Sequence, residues 1–301
     1  MEEISKIIET MPVKKGIITR REYDWLKTFE KLEPHEQAKV DEFEEHLAKS
    51  VITSASKPEK EIKEPIPGLV PDKKTIWKGF IQAFELSEKK PFVQNPDTLA
   101  NLEPVIKYFA KDPDFFKCRN LVKSFNGKPL ENSFEKGILI VGDYGNGKTT
   151  IMTCLETLFR QNYKIAVRDG WDNQKIWNGL RFKGIKSHDL VTDFEILDPK
   201  KAEHTKEAFY KKYSGFRYYF DDLKKEKTAS NFGKTEIVRE ILEKRYDAKA
   251  KTFGTCNYQE GMSGNLEQAI YEFGDRYGGH IYDRIFEMFN IIEFRGKSFR
   301  R

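Results

Sequence analysis

The sequence predicts an α/β protein in which a mainly parallel β-sheet is sandwiched between helices. Three observations predict it. From Lys136 onward, short apolar runs alternate with segments of helical periodicity, the pattern of strands joined by crossover helices. The first apolar run and the first helix are joined by a glycine-rich turn, GDYGNGK. A later run, YYFDD, ends in two adjacent aspartates, Asp221 and Asp222. Alone, such a pair reads most simply as a strand end whose acids face water. In a parallel sheet, however, ligands bind at the carboxyl ends of strands, and that is where the pair falls.

The elements follow in order. In residues 1–50, EYDWLKTFEKL and EQAKVDEFEEHLAKSV space apolar residues by three and four, which predicts helices. Residues 51–73, VITSASKPEKEIKEPIPGLVPDK, are rich in Ser, Lys, Glu and Pro and read as a linker. TIWKGFIQAFEL and PDTLANLEPVIKYFA predict two amphipathic helices, the second with Asp97 as its N-cap. GILIVG is a strand, and a helix runs over 148–161. YKIAVR is a strand and SHDLVTDFEIL a helix; FRYYFDDL is a strand and TEIVREILEKRYD a helix. KTFGTCN is a strand, followed by helical segments and a last strand, NIIEF. No internal repeat interrupts this order.

The composition narrows the class. At 38% hydrophobic and 34% charged the chain is polar, and the 13% of aromatic residues must supply much of its core. No apolar run approaches the roughly 20 residues of a membrane helix. The start, MEEISKIIET, has no long apolar stretch, so the expectation is a cytoplasmic protein without a secretory leader. Cys118, Cys154 and Cys256 lie far apart and read as reduced core thiols, and the five histidines show no metal-ligand spacing. Residues 1–66 hold 12 Lys/Arg against 15 Asp/Glu, a net of −3, which leaves +8 on the remainder. The basic part is the better candidate for an anionic partner.

The chemistry lies in GILIVGDYGNGKTT. Gly142, Asp143, Tyr144, Gly145, Asn146, Gly147, Lys148 and Thr149 satisfy G-x-x-x-x-G-K-[ST], between an apolar strand and a helix, and Thr150 follows. Such a loop turns its backbone N–H groups inward around phosphate, and the following helix adds its positive end. Lys148 reaches the β- and γ-phosphates of ATP or ADP, and the Thr149 hydroxyl meets Mg2+. A bare glycine turn with no ligand is the alternative. The aspartates then acquire roles. Asp221 holds the magnesium shell and Asp222 serves as base or orienter for an attacking water. An acid pair so placed separates the chain from nucleotide kinases and predicts an ATPase with water as acceptor. Asn257, ending the next strand beside Thr255, fits between the acid pair and the γ-phosphate, or is a turn residue at a strand end.

KGILIVGDYGNGKTT, YYFDDL, ILEKRYDAKAKTFGTCNY, YGGHIYDRIFEM and RGKSFRR, in this order, resemble AAA+ ATPases of the DnaC/DnaI helicase-loader type, with IstB-type transposition ATPases sharing the order. The resemblance covers roughly residues 90–301 and does not extend to 1–66. It implies an AAA+/ASCE P-loop NTPase domain, placed over 67–301; the helical region and linker over 1–66 lie outside it and are read as partner-binding, and no separate C-terminal lid domain is expected. It makes Lys148 and Thr149 the Walker A residues, Asp221 and Asp222 the Walker B pair, and Asn257 sensor 1. Arg284 becomes an arginine finger reaching a neighbouring subunit's nucleotide, and Arg300 becomes sensor 2. On the residues alone, Arg284 reads equally as a surface or ion-paired arginine. A finger acting in trans implies self-association into a ring or spiral.

By the same resemblance, Lys224, Lys225 and Lys227 are candidates for single-stranded DNA phosphates, with Phe232 available to stack on a base; a solvated charged loop is the plain alternative. Trp25, Leu26, Phe29, Phe43 and Leu47 form stripes that pack within a small helical domain or dock a partner. The implied function is ATP-dependent loading of a replicative helicase, of cellular or phage origin. An IstB-like transposition ATPase is one alternative. A nucleotide-gated protein adaptor with little or no hydrolysis is the other.

Overall fold

The computed structural model describes residues 26–27, 33–55, 70–161, 177–198, 205–230, 235–296 and 298–299. The chain divides into two units, Met1–Lys63 and Glu64–Arg301. In the first, α1 spans Pro34–Ala55 and buries Val40, while Leu26 is also buried. Helix α1 thus runs on through VITSA, which the sequence reading assigned to the linker; no proline or glycine stands there to stop it. Trp25, Phe29 and the Leu47 side chain lie outside what is described.

In the second unit, α2 (Lys73–Glu88) starts at Asp72, whose side chain accepts from the Thr75 N–H at 2.8 Å. Helix α3 is Pro96–Phe109. Its N-cap is Asn95, not Asp97. Asn95 Oδ1 accepts from the Thr98 N–H and Thr98 Oγ1 from the Asn95 N–H, both at 2.9 Å. Pro96 has no N–H to satisfy and takes the first helical position, which places the cap one residue before it. A short hairpin, β1 (Ser124–Phe125) with β2 (Lys128–Pro129), precedes the sheet.

The sheet strands are β3 (Gly137–Gly142), β4 (Lys183–Lys186), β5 (Tyr218–Asp221), β6 (Thr252–Cys256) and β7 (Phe289–Phe294). They are all parallel in the order β4-β5-β6-β3-β7. The connecting helices are α4 (Lys148–Gln161), α5 (Ser187–Glu195), α6 (Lys206–Ser214), α7 (Ile237–Asp247), α8 (Leu266–Tyr277) and α9 (Gly279–Met288). No helix follows β7 among the described residues. The strand expected at 163–168 lies outside the described residues, and the strand that leads into α5 is β4, KGIK.

Two apolar clusters, one on each face, hold the sheet. The two-residue period of a strand divides β3 between them. Ile138 and Ile140 pack with α2, α3 and the Ile151, Leu155 and Phe159 face of α4. Leu139 and Val141 pack with residues of α5 to α9. All four side chains are fully buried, each stabilising the fold by roughly 1.5–3 kcal/mol. That is why β3 reads as an unbroken apolar run rather than an alternating one. The three cysteines are buried and free.

The strand order sets the site. β6 lies between β3 and β5, so the carboxyl ends of all three open on one edge of the sheet. Gly142, Asp221 and, just past β6, Asn257 are thereby neighbours in space although more than a hundred residues separate the first from the last.

Candidate active site

The loop after β3 closes through glycines that no other residue replaces without strain. Gly147 has φ +92°. At Gly142 a Cβ would stand 2.6 Å from the Phe294 carbonyl oxygen on β7 and 2.5 Å from Asn146 Nδ2. Asn146 is buried and donates to that same carbonyl at 3.1 Å, which pins the loop to the sheet. Helix α4 begins at Lys148, so its free N–H groups face the loop.

Lys148 is itself buried. Its Nζ donates to Gly142 O at 2.8 Å, Asp143 O at 2.7 Å, Asn146 Oδ1 at 3.2 Å and Asn257 Oδ1 at 3.0 Å. No carboxylate neutralises it directly, and burial pushes its pKa down to about 8. An ammonium held only by carbonyl-type oxygens in a loop lined with N–H donors is arranged to receive an anion.

Asp221 is buried at the end of β5 and accepts from three hydroxyls at Oδ1: Thr149 Oγ1 at 3.0 Å, Thr255 Oγ1 and Tyr219 OH. Burial first, and the Asp221 carboxylate next, hold the Tyr219 phenol protonated well above its usual range, so it is a donor here. These bonds direct the Thr149 proton toward Asp221 and leave its lone pairs toward the loop.

Asp222 faces the cleft with φ +54°, a left-handed conformation that aspartate tolerates. Its N–H donates to Thr255 Oγ1 at 3.1 Å, and its carbonyl accepts from Ser187 Oγ at 2.6 Å. Asn257 Nδ2 donates to its Oδ1 at 3.0 Å. A continuous chain therefore runs from Lys148 through the Asn257 amide to the Asp222 carboxylate.

This arrangement joins a phosphate-type loop on β3 to a carboxylate pair on β5 through a polar residue on β6. A parallel sheet covered by helices on both faces thus carries a phosphate-type loop at the carboxyl end of β3, and a loop of that kind is suited to the phosphates of a nucleotide with Mg2+. Among the described residues no group of three or more His, Cys, Asp or Glu is placed to hold a metal by itself. Mg2+ does not require one, since it keeps several waters and is held through one or two side chains together with substrate phosphates. Thr149 and Asp221 fit that mode. No family model matches this chain, and no curated protein matches it. Among solved structures it is similar to the crystal structure of the DnaC helicase loader, at 18% identity over 74% of this chain and 99% of that one, with a TM-score of 0.44. That likeness is distant.

The P-loop opens into a cleft of about 430 Å3. Tyr144, Gly145, Asn146, Gly147, Lys148, Thr149, Thr150, Asp222 and Asn257 all line it. Asp143 contributes its carbonyl to Lys148 and accepts from Ser263 Oγ at 2.6 Å. The opposite end of the cleft, with Phe84, Phe92 and Val93, escaped the sequence reading, as did Tyr219 as a holder of Asp221. The apolar residues there read only as parts of a helix stripe and a loop. Arg284 lies away from the cleft, its guanidinium 4.3 Å from the centroid of the Tyr246 ring. Arg300 and Phe232 lie outside the described residues.

The lysines after the acid pair separate. Lys224 turns inward. Its side chain is 9% exposed, its Nζ forms an ion pair with Glu272 and donates to Ala269 O at 2.9 Å and Asn257 O at 3.2 Å, and the Phe273 ring lies 5.3 Å away. Its ammonium is thus engaged within the protein rather than turned to solvent. Lys225 stands 4.0 Å from the Tyr144 ring centroid and 3.9 Å from Asp222 Oδ1. Lys227 is exposed and pairs with Glu195 at 3.0 Å.

Proposed function

We propose that the chain binds Mg2+–ATP in this cleft, hydrolyses it, and serves as a loader of a replicative helicase on single-stranded DNA. The observation that carries the ATPase reading is the connected set Lys148, Thr149–Asp221 and Asn257–Asp222 at the mouth of one P-loop. Backbone N–H groups of 145–149 and the Lys148 ammonium bind the phosphates. Thr149 and Asp221 hold Mg2+, which supplies charge neutralisation on the phosphate oxygens. Asp222 accepts the proton of the attacking water, and Asn257 fixes the Asp222 carboxylate beside the γ-phosphate.

The helicase-loader reading is supported by the order of the motifs from GILIVGDYGNGKTT to RGKSFRR. Within it, residues 1–66 contact the helicase and 67–301 form the ATPase domain. Arg284 acts on a neighbour's nucleotide in a ring or spiral, and Lys225 and Lys227 face single-stranded DNA. The full chain should increase the amount of ring-shaped replicative helicase retained on circular single-stranded DNA when ATP is present. Capture of duplex target DNA with a transposase would select the transposition reading. ATP binding without turnover, with or without DNA, would select the adaptor.

Lys148 also makes the proposal testable by pH. Its ammonium titrates near pH 8 in the free protein, and a bound triphosphate raises that value. Binding then takes up a proton wherever the free lysine has lost one. ATP affinity should be level below about pH 8 and fall by up to about tenfold per pH unit above it. Affinity that stays level from about pH 7 to 10 in calorimetric titrations would remove Lys148 from the phosphate site.

Among the described residues no helix is long and apolar enough to cross a membrane.

A further inference from the structure

We infer that Phe299 is a nucleotide-contacting residue that walls the ribose and base end of the cleft. The inference rests on the reading of the cleft as a nucleotide site. The cleft has two chemically different ends. One holds the P-loop N–H groups, Lys148, Asp222 and Asn257. The other has an apolar wall of Phe84, Pro91, Phe92 and Val93, with Glu88 and Lys90 from the same segment also lining the cleft. A nucleotide has the same polarity, with charged phosphates at one end and a flat, weakly polar base at the other. With the phosphates at the P-loop, the base falls among the phenylalanines.

Phe299 lines the same cleft. Its Cε2 is 3.8 Å from where a Gly147 Cβ would be, a point that is also 4.0 Å from Ile151 Cδ1, so the ring borders the start of α4 on the cleft side. It is half exposed. A bound nucleotide would cover this ring surface.

Its position is built rather than incidental. The Phe299 N–H donates to the Gly145 carbonyl of the P-loop at 3.0 Å. Four residues earlier the strand exit is clamped in both directions: Asn101 Nδ2 donates to Arg295 O at 2.8 Å, and the Arg295 N–H donates to Asn101 Oδ1 at 2.9 Å. Gly296 follows at φ +104°, so close to Asp97 that a Cβ would stand 2.9 Å from its Oδ2. The segment after β7 is therefore turned by a residue that only glycine suits and is returned to the P-loop, carrying its aromatic side chain to the cleft. Asn101 is occupied by these bonds and by Asn120 Nδ2 at 2.8 Å, and Thr98 Oγ1 by Val93 O at 2.7 Å. Asn101 and Thr98 thus serve the framework, and the Phe299 ring offers the base apolar and stacking contact.

The test compares ATP with inorganic tripolyphosphate, which offers the phosphate charges without ribose or base. For Phe299→Ala in the full chain, ATP affinity should fall about tenfold while tripolyphosphate affinity stays within about twofold of wild type. Phe299→Trp should retain ATP affinity, and its added fluorescence should change saturably with ATP but not with tripolyphosphate. Equal losses for both ligands would show that Phe299 acts only by shaping the P-loop and would overturn the inference. Unchanged ATP affinity would also overturn it. So would a gain in affinity, which would make the ring an obstruction rather than a wall. If the wild-type chain binds neither ligand, the nucleotide reading itself falls, and the inference falls with it.

Discussion

Lys148→Ala should lower ATP affinity by at least about a hundredfold and leave no measurable hydrolysis. The ammonium is buried, and its four acceptors are all neutral oxygens, so a triphosphate gains a buried charge that no carboxylate already holds. Charge-assisted hydrogen bonds contribute about 1.5–3 kcal/mol each. Two of them, one to each terminal phosphate, amount to about 3–6 kcal/mol, which exceeds two decades of affinity. Substitution also frees the Gly142 and Asp143 carbonyls and the two asparagine oxygens, of which Asn146 and Asn257 line the cleft, where water can meet them. The fold should persist, as far-UV circular dichroism and thermal melting can check. Calorimetric titration with ATP gives the decisive number. A folded variant that binds ATP as the wild type does would refute the P-loop assignment. The same variant tests the trans role proposed for Arg284. Mixed with Arg284→Ala, it should regain hydrolysis that neither has alone, because a mixed assembly pairs an intact P-loop with an intact Arg284. Near-zero rates at every mixing ratio, with assembly confirmed by light scattering, would confine the site to one chain.

The sheet was legible in the sequence where strands are buried on both faces. GILIVG and NIIEF stand out as apolar runs because both faces of β3 and β7 meet helices. Strand β4 was not legible. KGIK has a single apolar side chain, and among the described residues it lies at the edge of the sheet, paired to β5, where exposed lysines such as Lys183 and Lys186 are the usual composition. The cap of α3 could have been read correctly, since Pro96 marks the first helical position and points to the residue before it. The P-loop and the acid pair were legible because their chemistry depends on short-range spacing. The fate of Lys224 was not. It depends on positive φ at both Asp222 and Lys224, which turns the chain after β5 inward, and on Glu272, 48 residues further on. The apolar end of the cleft shares this difficulty. Phe84, Phe92 and Phe299 come from three separate segments, and only the folded sheet gathers them.

Asp222→Asn should leave ATP bound and slow its hydrolysis by about 10²–10⁴-fold, the usual contribution of a positioned general base. The change is close to isosteric in this site. An asparagine Oδ1 can still accept from Asn257 Nδ2, the backbone bonds to Thr255 and Ser187 do not involve the side chain, and asparagine tolerates φ +54° as aspartate does. What is lost is the carboxylate that takes the water's proton. Alanine at the same position would be a poorer probe, since it would add left-handed strain to the loss of the base. The neighbouring aspartate should behave differently. Asp221 is buried behind Thr149 and Thr255 and does not line the cleft, so Asp221→Asn removes charge from the magnesium side and should weaken Mg2+-dependent ATP binding itself. The two variants therefore split into a turnover defect and a binding defect. Single-turnover hydrolysis at saturating ATP, beside nucleotide affinity with and without Mg2+, separates them. An Asp222→Asn chain that hydrolyses ATP at the wild-type rate would end its role as base. Loss of ATP binding in that variant, with Asp221→Asn binding normally, would exchange the roles of the pair.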